Sequence, residues 1–244
     1  MFANKVILIT GGSSGIGAAA VECFAKEGAS VVFVGRNEAK LKAVAERCGP
    51  KTYPIKADIS KDEEAKSIVK KTIEKFGKLD VLVNNAGIFK YKSLRDSNAV
   101  DVYDEILKTN TRAVILITTL AIPYIIQTKG NIINISSVVS TTIVEPGMTL
   151  YGMSKAALDH YTKGLALDLA KVGVRVNSVN PGPVITDLAR DVTDFPDIPI
   201  DKLTALGRAS DPEEIGDIIV YLASDKARGV TGSMYHVDNG ALLH

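Results

Sequence analysis

Short apolar runs alternate with helical patterns along this 244-residue chain, and no other feature constrains the fold as strongly. The first run, Val6 to Ile9, leads into a glycine-rich turn and then a helical pattern over Ala18 to Glu27. The last predicted strand is Ser233 to Val237. Strands that alternate with helices form βαβ units, and right-handed crossovers wind such units into one parallel sheet. We therefore predict an α/β fold, a doubly wound parallel sheet of seven strands with helices on both faces.

The elements between these two ends keep the same alternation, and no linker or repeat interrupts it. Residues 1–244 are therefore predicted to form a single domain. Residues 187–208 lack periodicity, and such a stretch in a compact domain is more often a functional loop than a linker, so we predict a substrate lid there. The intervening predicted elements are strand Ser30 to Val34, helix Glu38 to Cys48, strand Thr52 to Ala57, helix Lys61 to Phe76, strand Leu79 to Asn84, a helix from about Val100 to Gln127, strand Asn131 to Ser136, helix Leu150 to Lys171, strand Arg175 to Asn180 and helix Pro212 to Ala223.

The charge balance argues against several classes of partner. Lys and Arg number 29 against 28 Asp and Glu, so the chain has no net basic field for nucleic acid or anionic lipid. The longest apolar stretch, Ala113 to Ile126, is broken by threonines and Pro123, so we expect no membrane span. Cys23 and Cys48 have neither metal-site nor disulfide spacing. We interpret both as reduced thiols of a cytoplasmic protein.

The turn after the first strand has the residues of a phosphate cradle. Gly11, Gly15 and Gly17 lie between a strand and a helix, where backbone N–H groups and the positive end of the helix dipole meet an anion. The alternative is a tight turn that binds no ligand. Arg36 follows the second strand, where an arginine accommodates the 2′-phosphate of NADP and a carboxylate would bind the ribose of NAD. The alternative for Arg36 is an exposed residue at the start of a helix.

Tyr151 and Lys155 are spaced to lie on one face of a helix, within reach of each other. Such a pair is frequent by chance and on its own could be a surface pair. Other polar residues support a functional role for this pair, because Ser136 and Ser137 end the fifth strand and residues 84–87 end the fourth. Open α/β sheets bind ligands at the carboxyl ends of their strands.

Taken together, these motifs resemble the short-chain dehydrogenase/reductase family in its single-domain form. The motifs are Thr10-Gly11-x-x-x-Gly15-x-Gly17, Asn84-Asn85-Ala86-Gly87, Ser137, Tyr151-x-x-x-Lys155 and Asn180-Pro181-Gly182. The resemblance extends along the whole chain, to Asp211-Pro-Glu-Glu and Val230-Thr-Gly. It implies a Rossmann-type sheet, a nicotinamide cofactor, and hydride exchange between a ketone or aldehyde and an alcohol.

The resemblance also implies roles for four catalytic residues. Tyr151 would protonate the alkoxide as hydride reaches the carbonyl carbon, and the cation of Lys155 would favour its phenolate. Lys155 would also hold the nicotinamide ribose. Ser137 would bind the substrate oxygen, rather than Ser136, because family members place the catalytic serine second. Asn110 matches the family's asparagine that positions a water for the proton relay.

The cofactor would be held at the glycine turn and at the carboxyl ends of the strands. Two departures from the family pattern are visible: one extra residue between Ser137 and Tyr151, and Asn239 where a glycine is usual. The predicted cofactor-binding residues are Gly11, Ser13, Ser14, Gly15, Ile16, Gly17, Arg36, Asn37, Asp58, Ile59, Asn84, Ala86, Gly87, Tyr151, Lys155, Pro181, Gly182, Val184 and Thr186.

The loops expected around the substrate are rich in apolar side chains, which favours a hydrophobic carbonyl compound or alcohol, steroid-like, isoprenoid or xenobiotic. The lid carries five aspartates, a poor surface for an acidic acyl-carrier partner. The combined prediction is an NADP(H)-dependent reductase. The expected wall residues are Val139, Ile143, Val144, Met148, Ile88, Phe89, Phe195, Ile198 and Ile200.

Two other functions stay open, an NAD-dependent alcohol dehydrogenase of the same family and a nucleotide-binding sensor that does not turn over. An epimerase or dehydratase is disfavoured, because relatives of that kind have an added substrate domain. No grouping of carboxylates and histidines suggests a metal. The stretch Ala113 to Ile122 is apolar nearly all round, so its outer side must be covered, either by other parts of the same chain or by a second subunit. Members of the family that the chain resembles pair long helices between subunits, which implies a homo-oligomer, expected to be a tetramer.

Overall fold

The computed structural model describes residues 1–190, 198–199 and 202–243. Its seven parallel strands form one sheet in the order β3-β2-β1-β4-β5-β6-β7. The predicted fold is therefore confirmed. The strand order reverses between β1 and β4, and a crevice opens at the carboxyl ends of the strands where an order reverses in this way. The strands are β1 Val6–Thr10, β2 Ser30–Gly35, β3 Thr52–Lys56, β4 Val81–Asn84, β5 Asn131–Ile135, β6 Arg175–Pro181 and β7 Met234–Val237.

Helices cover both faces of this sheet. Neighbouring residues of β1 point to opposite faces, so Ile7 packs in the core layer that contains α1 and α8, and Leu8 in the layer that contains α3 and α5. Both side chains are fully buried. The α-helices are α1 Gly15–Lys26, α2 Glu38–Cys48, α3 Asp62–Phe76, α4 Ala99–Leu107, α5 Ala113–Thr128, α6 Thr149–Ala170, α7 Asp187–Arg190 and α8 Pro212–Ala223.

The helix that was predicted from about Val100 to Gln127 is not one continuous α-helix in the structure. A π-helical turn, Lys108–Arg112, joins α4 to α5. The turn consists of five polar residues, and the helical patterns on either side of it do not reveal the change of helix type. Such turns are rare and are frequently found at functional sites. This one contains Asn110, a predicted catalytic residue.

The same run, Ala99–Thr128, is long and apolar enough to cross a bilayer by length and composition alone. In this fold its inner side chains, among them Ile117 and Ile125, are buried in the core layer beneath the sheet. Burial in the core thus accounts for the inner side chains of this run, whereas on its outer side Ile115 stays 40% exposed.

Candidate active site

The glycine turn between β1 and α1 is held in shape by the end of β4. The Asn85 side-chain amide donates to the carbonyls of Thr10 at 2.9 Å and Gly11 at 3.1 Å. In return, Thr10 Oγ1 accepts from the backbone N–H of Asn85 at 3.0 Å and of Ala86 at 3.1 Å. A Cβ on Gly17 would lie 2.1 Å from the Gly11 carbonyl oxygen, so only glycine fits there. Asn85 was not among the predicted cofactor-binding residues, although it belongs to the Asn-Asn-Ala-Gly motif.

The start of α1 is prepared for an anion. Its N-cap, Ser14, makes no side-chain capping bond, and the first turn contains no acidic residue. The first N–H groups of α1 have no partner within the helix, and they point into the crevice. The positive end of the helix dipole points the same way. Gly15 has a φ of +52° and a Cβ there would lie 3.0 Å from the Thr186 side chain. These features fit the pyrophosphate of a dinucleotide, held between the glycine turn and Thr186.

Arg36 lies on the rim of the crevice, exposed, one residue beyond the end of β2. Its charge acts on Asp58, which follows β3. Burial raises the pKa of Asp58, but hydrogen bonds from Ser60 and the nearby Arg36 guanidinium outweigh burial and leave the pKa below its usual value. Arg36 therefore lies at the carboxyl ends of β2 and β3, directly after the second strand as predicted. Gly35 is packed tightly, since a Cβ there would lie 2.7 Å from Ser13 Oγ.

In three of the predicted cofactor-binding residues, the side chain caps a helix or packs against the core. Asn37 caps α2 by accepting from the Lys40 N–H at 3.0 Å. Ile59 is 7% exposed and packs in the core layer beneath the sheet, and Ile16 packs against the opposite layer. Ile59 can therefore offer a ligand only its backbone, because its side chain is turned into the core.

Asn84, a predicted cofactor-binding residue, has its side chain engaged in the interior of the protein. Its amide donates to Thr118 Oγ1 at 3.0 Å and Asn134 Oδ1 at 2.9 Å, and the side chain is 1% exposed. Asn84 therefore joins β4 to β5 and α5 below the crevice. The neighbours Ala86 and Gly87 are half-buried at the crevice itself.

The three residues expected to act on the substrate meet at the carboxyl end of β5. Lys155 is 4% exposed, and its Nζ donates to the Ile135 carbonyl at 2.7 Å. Lys155 Nζ lies 5.7 Å from the centre of the Tyr151 ring, one turn earlier on α6. Ser137, which follows β5, shares a hydrogen bond with the Tyr151 hydroxyl. Ser136 is excluded from the chemistry, because its hydroxyl is buried and donates to the Lys155 carbonyl at 3.2 Å.

Asn110 reaches the same place from the π-helical turn. Its Oδ1 accepts from the Ile88 N–H at 2.8 Å, and its Nδ2 donates to the Ile88 carbonyl at 2.9 Å and to Ser154 at 3.1 Å. A Cβ on Gly87 would lie 3.2 Å from Asn110 Oδ1 and 3.6 Å from Lys155 Nζ. Asn110 thus anchors the segment after β4 next to Lys155.

Burial dominates the protonation of both Tyr151 and Lys155 in this structure. Burial raises the pKa of Tyr151 to about 12, although the Ser137 hydrogen bond acts in the opposite direction. Burial also lowers the pKa of Lys155 to about 8, against the effect of Asp159. Desolvation disfavours both charged forms. The phenol is therefore protonated at neutral pH, as a proton donor must be.

The segment after β6 closes the far side of the crevice. The Gly182 N–H donates to the Val237 carbonyl at 3.1 Å, and a Cβ on Gly182 would lie 2.8 Å from Asp238 Cα. Val184 forms a bridge with Ser210, and Thr186 lies against Gly15. These residues, with Pro181 at the end of β6, connect the catalytic end of the crevice to the glycine turn.

An apolar cluster lies beside Tyr151. Val139 and Met148 are buried in it, and the Phe89 ring packs edge-on against Tyr151 with 4.9 Å between ring centres. Ile143 and Val144, which were also expected in the wall, are 61% and 41% exposed.

One expected wall residue packs elsewhere, and one residue that was not predicted joins the cluster. Ile88 packs in a different cluster, with Val102, Ile106 and Leu150, because Asn110 fixes its backbone on that side. Leu242, which the sequence analysis missed, packs against the Tyr151 cluster from a turn that the Asp238 carboxylate holds. Ile198 is half-buried, and Phe195 and Ile200 of the predicted lid lie outside the described residues.

In the described part of the chain, no three His, Cys, Asp or Glu side chains gather into a group that could hold a metal ion. The polar groups at the crevice are instead a phenol, an ammonium, a hydroxyl and an amide. They are suited to move a proton and to bind an oxygen that gains negative charge.

Comparison with known proteins supports this interpretation. The family model described as enoyl-(acyl carrier protein) reductase matches residues 11–241. L-fucose dehydrogenase of Bos taurus is 37% identical over 248 residues, which cover 99% of this chain and 91% of that protein. Cyclopentanol dehydrogenase of a Comamonas strain is 37% identical over 243 residues, with 97% of this chain and 96% of that protein covered.

Solved structures share the fold at similar identity. A short-chain dehydrogenase from Burkholderia cenocepacia in complex with NADP has a TM-score of 0.92 at 33% identity, with 99% of each chain covered. The 3-ketoacyl-(acyl-carrier-protein) reductase from Brucella melitensis complexed with NADH has a TM-score of 0.91 at 32% identity, with 98% of each chain covered. Similar structures thus contain either form of the nicotinamide cofactor.

Proposed function

Because the chain belongs to the short-chain dehydrogenase/reductase family of oxidoreductases, we propose that it uses NADP(H) to interconvert a hydrophobic ketone or aldehyde and the corresponding alcohol, with reduction favoured. The observation that carries the proposal is the meeting of Tyr151, Ser137 and Lys155 at one end of a crevice whose other end is an anion-binding glycine turn. The cofactor would be held by the glycine turn, Arg36 and Thr186, and when bound it supplies the hydride.

The remaining steps belong to side chains of this protein. Tyr151 donates its hydroxyl proton to the oxygen that becomes negative as the carbonyl carbon is reduced. Ser137 donates a hydrogen bond to the same oxygen and so stabilises its charge. Lys155 places a positive charge beside the phenol, which offsets the charge that remains on Tyr151 after the proton has left.

The substrate proposal rests on the apolar cluster around Phe89, Met148 and Tyr151. A ketone bound against this cluster would leave its oxygen to Ser137 and Tyr151. Cyclopentanol dehydrogenase, one of the relatives, is named for a small cyclic alcohol. A carrier-bound acyl chain and a sugar are the substrates named for other relatives, and they are the alternatives to exclude.

The assay that tests the proposal follows NADPH oxidation spectrophotometrically. The panel contains cyclopentanone, a steroid ketone, an isoprenoid aldehyde and acetoacetyl-thioester, and L-fucose is offered with NADP⁺ in the reverse direction. We expect turnover with one or more hydrophobic carbonyl compounds. Tight NADPH binding without turnover of any compound would favour the sensor function instead.

The cofactor preference is expected to depend on Arg36. A charge-assisted contact between a guanidinium and the 2′-phosphate contributes about 1.5–3 kcal/mol, so Arg36→Leu should lower kcat/KM for NADPH about 10- to 150-fold. The value for NADH should change little. The exposed Arg228, in the connection after α8, provides the control variant Arg228→Leu. Equal loss with both cofactors would contradict the assignment, and Gly35→Asp is avoided because any side chain there displaces Ser13.

We also propose a homo-oligomer, a tetramer in its simplest form, in a cytoplasmic protein. The outer face of the helical run α4–α5 exposes Val100 at 69% and Ile115 at 40%, and α6 exposes Met153 at 48%. A second copy of this chain would bury these side chains and lower the free energy by the hydrophobic effect.

Sedimentation equilibrium at micromolar concentration should give a mass about four times the 26.0 kDa of one chain. Ile115→Lys should shift the mass towards a smaller species, because it places a charge in the covered face. Val172→Lys, at an exposed position in the turn after α6, provides the control. A wild-type mass of one chain would contradict the proposal.

A further inference from the structure

The helix that carries Tyr151 and Lys155 also carries a buried carboxylate that the proposed reaction does not use. Asp159 is 5% exposed, and its Oδ2 accepts from Asn180 Nδ2 at 2.8 Å. Its Oδ1 is buried and finds no hydrogen-bond partner among the described residues. A buried carboxylate is strongly unfavourable unless a cation compensates it. The arrangement therefore requires a positive charge near Asp159.

Lys155 is placed to supply that charge. It precedes Asp159 by four residues on α6, so the two side chains lie on the same face of the helix. Lys155 faces neutral groups on the other elements around it, the Ile135 carbonyl of β5 and the Asn110 amide of the π-helical turn. On α6 itself it faces the Tyr151 phenol and the Asp159 carboxylate. Asp159 is thus the one anion found to act on Lys155 within the described residues.

Asp159 also acts on the other side of the site, through Asn180. The Asn180 Nδ2 that donates to Asp159 also lies 3.2 Å from the Ser137 carbonyl and 3.1 Å from Ser140 Oγ. Asn180 Oδ1 accepts from Ser178 Oγ at 2.8 Å, which fixes which way the amide points. The carboxylate therefore helps to hold the amide that supports the backbone of Ser137.

We propose that Asp159 is a positioning residue of the active site, whose negative charge keeps Lys155 as an ammonium ion and whose hydrogen bond to Asn180 supports Ser137. The catalytic consequence rests on the proposed function. The effect on the charge of Lys155 does not, because it requires no turnover.

The test separates the charge from the hydrogen bond with Asp159→Asn, whose side-chain carbonyl can still accept from Asn180. Lysine labelled with ¹³C at Cε is titrated by NMR, and the Lys155 signal is identified by its loss in Lys155→Arg. The variant should lower the titration midpoint of Lys155 by about one pH unit, since a nearby opposite charge shifts a pKa by ~1–3 units. Asp168→Asn is the matched control, at an exposed position on the same helix.

Kinetics give a second measurement that a purely structural role would not reproduce. With the Lys155 midpoint lowered from about 8 by about one unit, kcat/KM for ketone reduction should be about five-fold below wild type at pH 8 and nearly equal to it at pH 6. The loss should lie in kcat rather than in KM. A loss of equal size at every pH would overturn the charge role.

The outcomes also distinguish this inference from the proposed function. A lowered Lys155 midpoint in a protein that reduces no carbonyl compound supports the inference while the proposed function fails. An unchanged midpoint overturns the inference even if the protein is an active reductase. If Asp159→Asn does not fold, Asp159→Ser removes the same charge with a smaller polar side chain and is titrated in the same way.

Discussion

Replacing Tyr151 with phenylalanine should lower kcat/KM for ketone reduction by about 10²- to 10⁴-fold, the usual contribution of a positioned acid. The change removes the hydroxyl that binds Ser137 but keeps the ring that packs against Phe89. The pocket wall should therefore stay intact, and the dissociation constant for NADPH should stay within a few-fold of wild type. Stopped-flow reduction rates and fluorescence titration with NADPH measure the two quantities.

Tyr161→Phe is the matched control for this experiment. Tyr161 lies on the same helix, is largely buried and has its hydroxyl hydrogen-bonded to Thr118, away from the crevice. Its loss should leave the rate near wild type. Retention of more than about a tenth of the wild-type rate by Tyr151→Phe would show that another group donates the proton.

Replacing Gly17 with alanine should weaken NADPH binding by about 100-fold or more. The added Cβ would lie 2.1 Å from the Gly11 carbonyl oxygen and 2.4 Å from Asn85 Nδ2, so the turn must move. Its backbone N–H groups would then lose their position for phosphate, and each charge-assisted hydrogen bond contributes about 1.5–3 kcal/mol. Isothermal titration calorimetry with NADPH measures the change.

Gly164→Ala provides the control for the glycine substitution. Gly164 lies on α6 with no heavy atom within 4 Å of the position its Cβ would take, and helix interiors favour alanine. This variant should bind NADPH as wild type does and unfold at the same or a higher temperature. Wild-type affinity in Gly17→Ala would mean that the glycine turn is not the phosphate site.

Much of the site follows from local pattern, because it depends on short-range rules. Glycines between a strand and a helix, a tyrosine and a lysine one helical turn apart, and polar residues at strand ends could each be placed without coordinates. Tyr151, Lys155 and Ser137 do meet at the carboxyl end of β5, and Ser136 turns away. The choice between the two serines came from the family resemblance, and the buried bond of Ser136 to helix α6 provides its physical reason.

Other features of the site could not be predicted from local sequence pattern, because they depend on which buried side chains contact each other in the folded protein. Asn84 and Asn85 are neighbours of the same type, yet Asn84 bonds Thr118 in the interior and Asn85 holds the glycine turn. Ile59 and Ile88 were expected at the crevice and are packed elsewhere. In each case the direction of one side chain, at a strand end or in the loop after it, decides whether the residue faces the crevice or the core.

The sequence by itself determined the α/β class, the seven strands, the position of the glycine turn and the catalytic pair on one helix, because hydrophobic period and residue spacing act locally. Only the tertiary structure decided the protonation of that pair and the surroundings of Asp159. Burial raises the pKa of Tyr151 and lowers that of Lys155, and it leaves one oxygen of Asp159 without a hydrogen-bond partner among the described residues. Desolvation depends on everything packed around a charge, and residues far apart in the chain supply that packing.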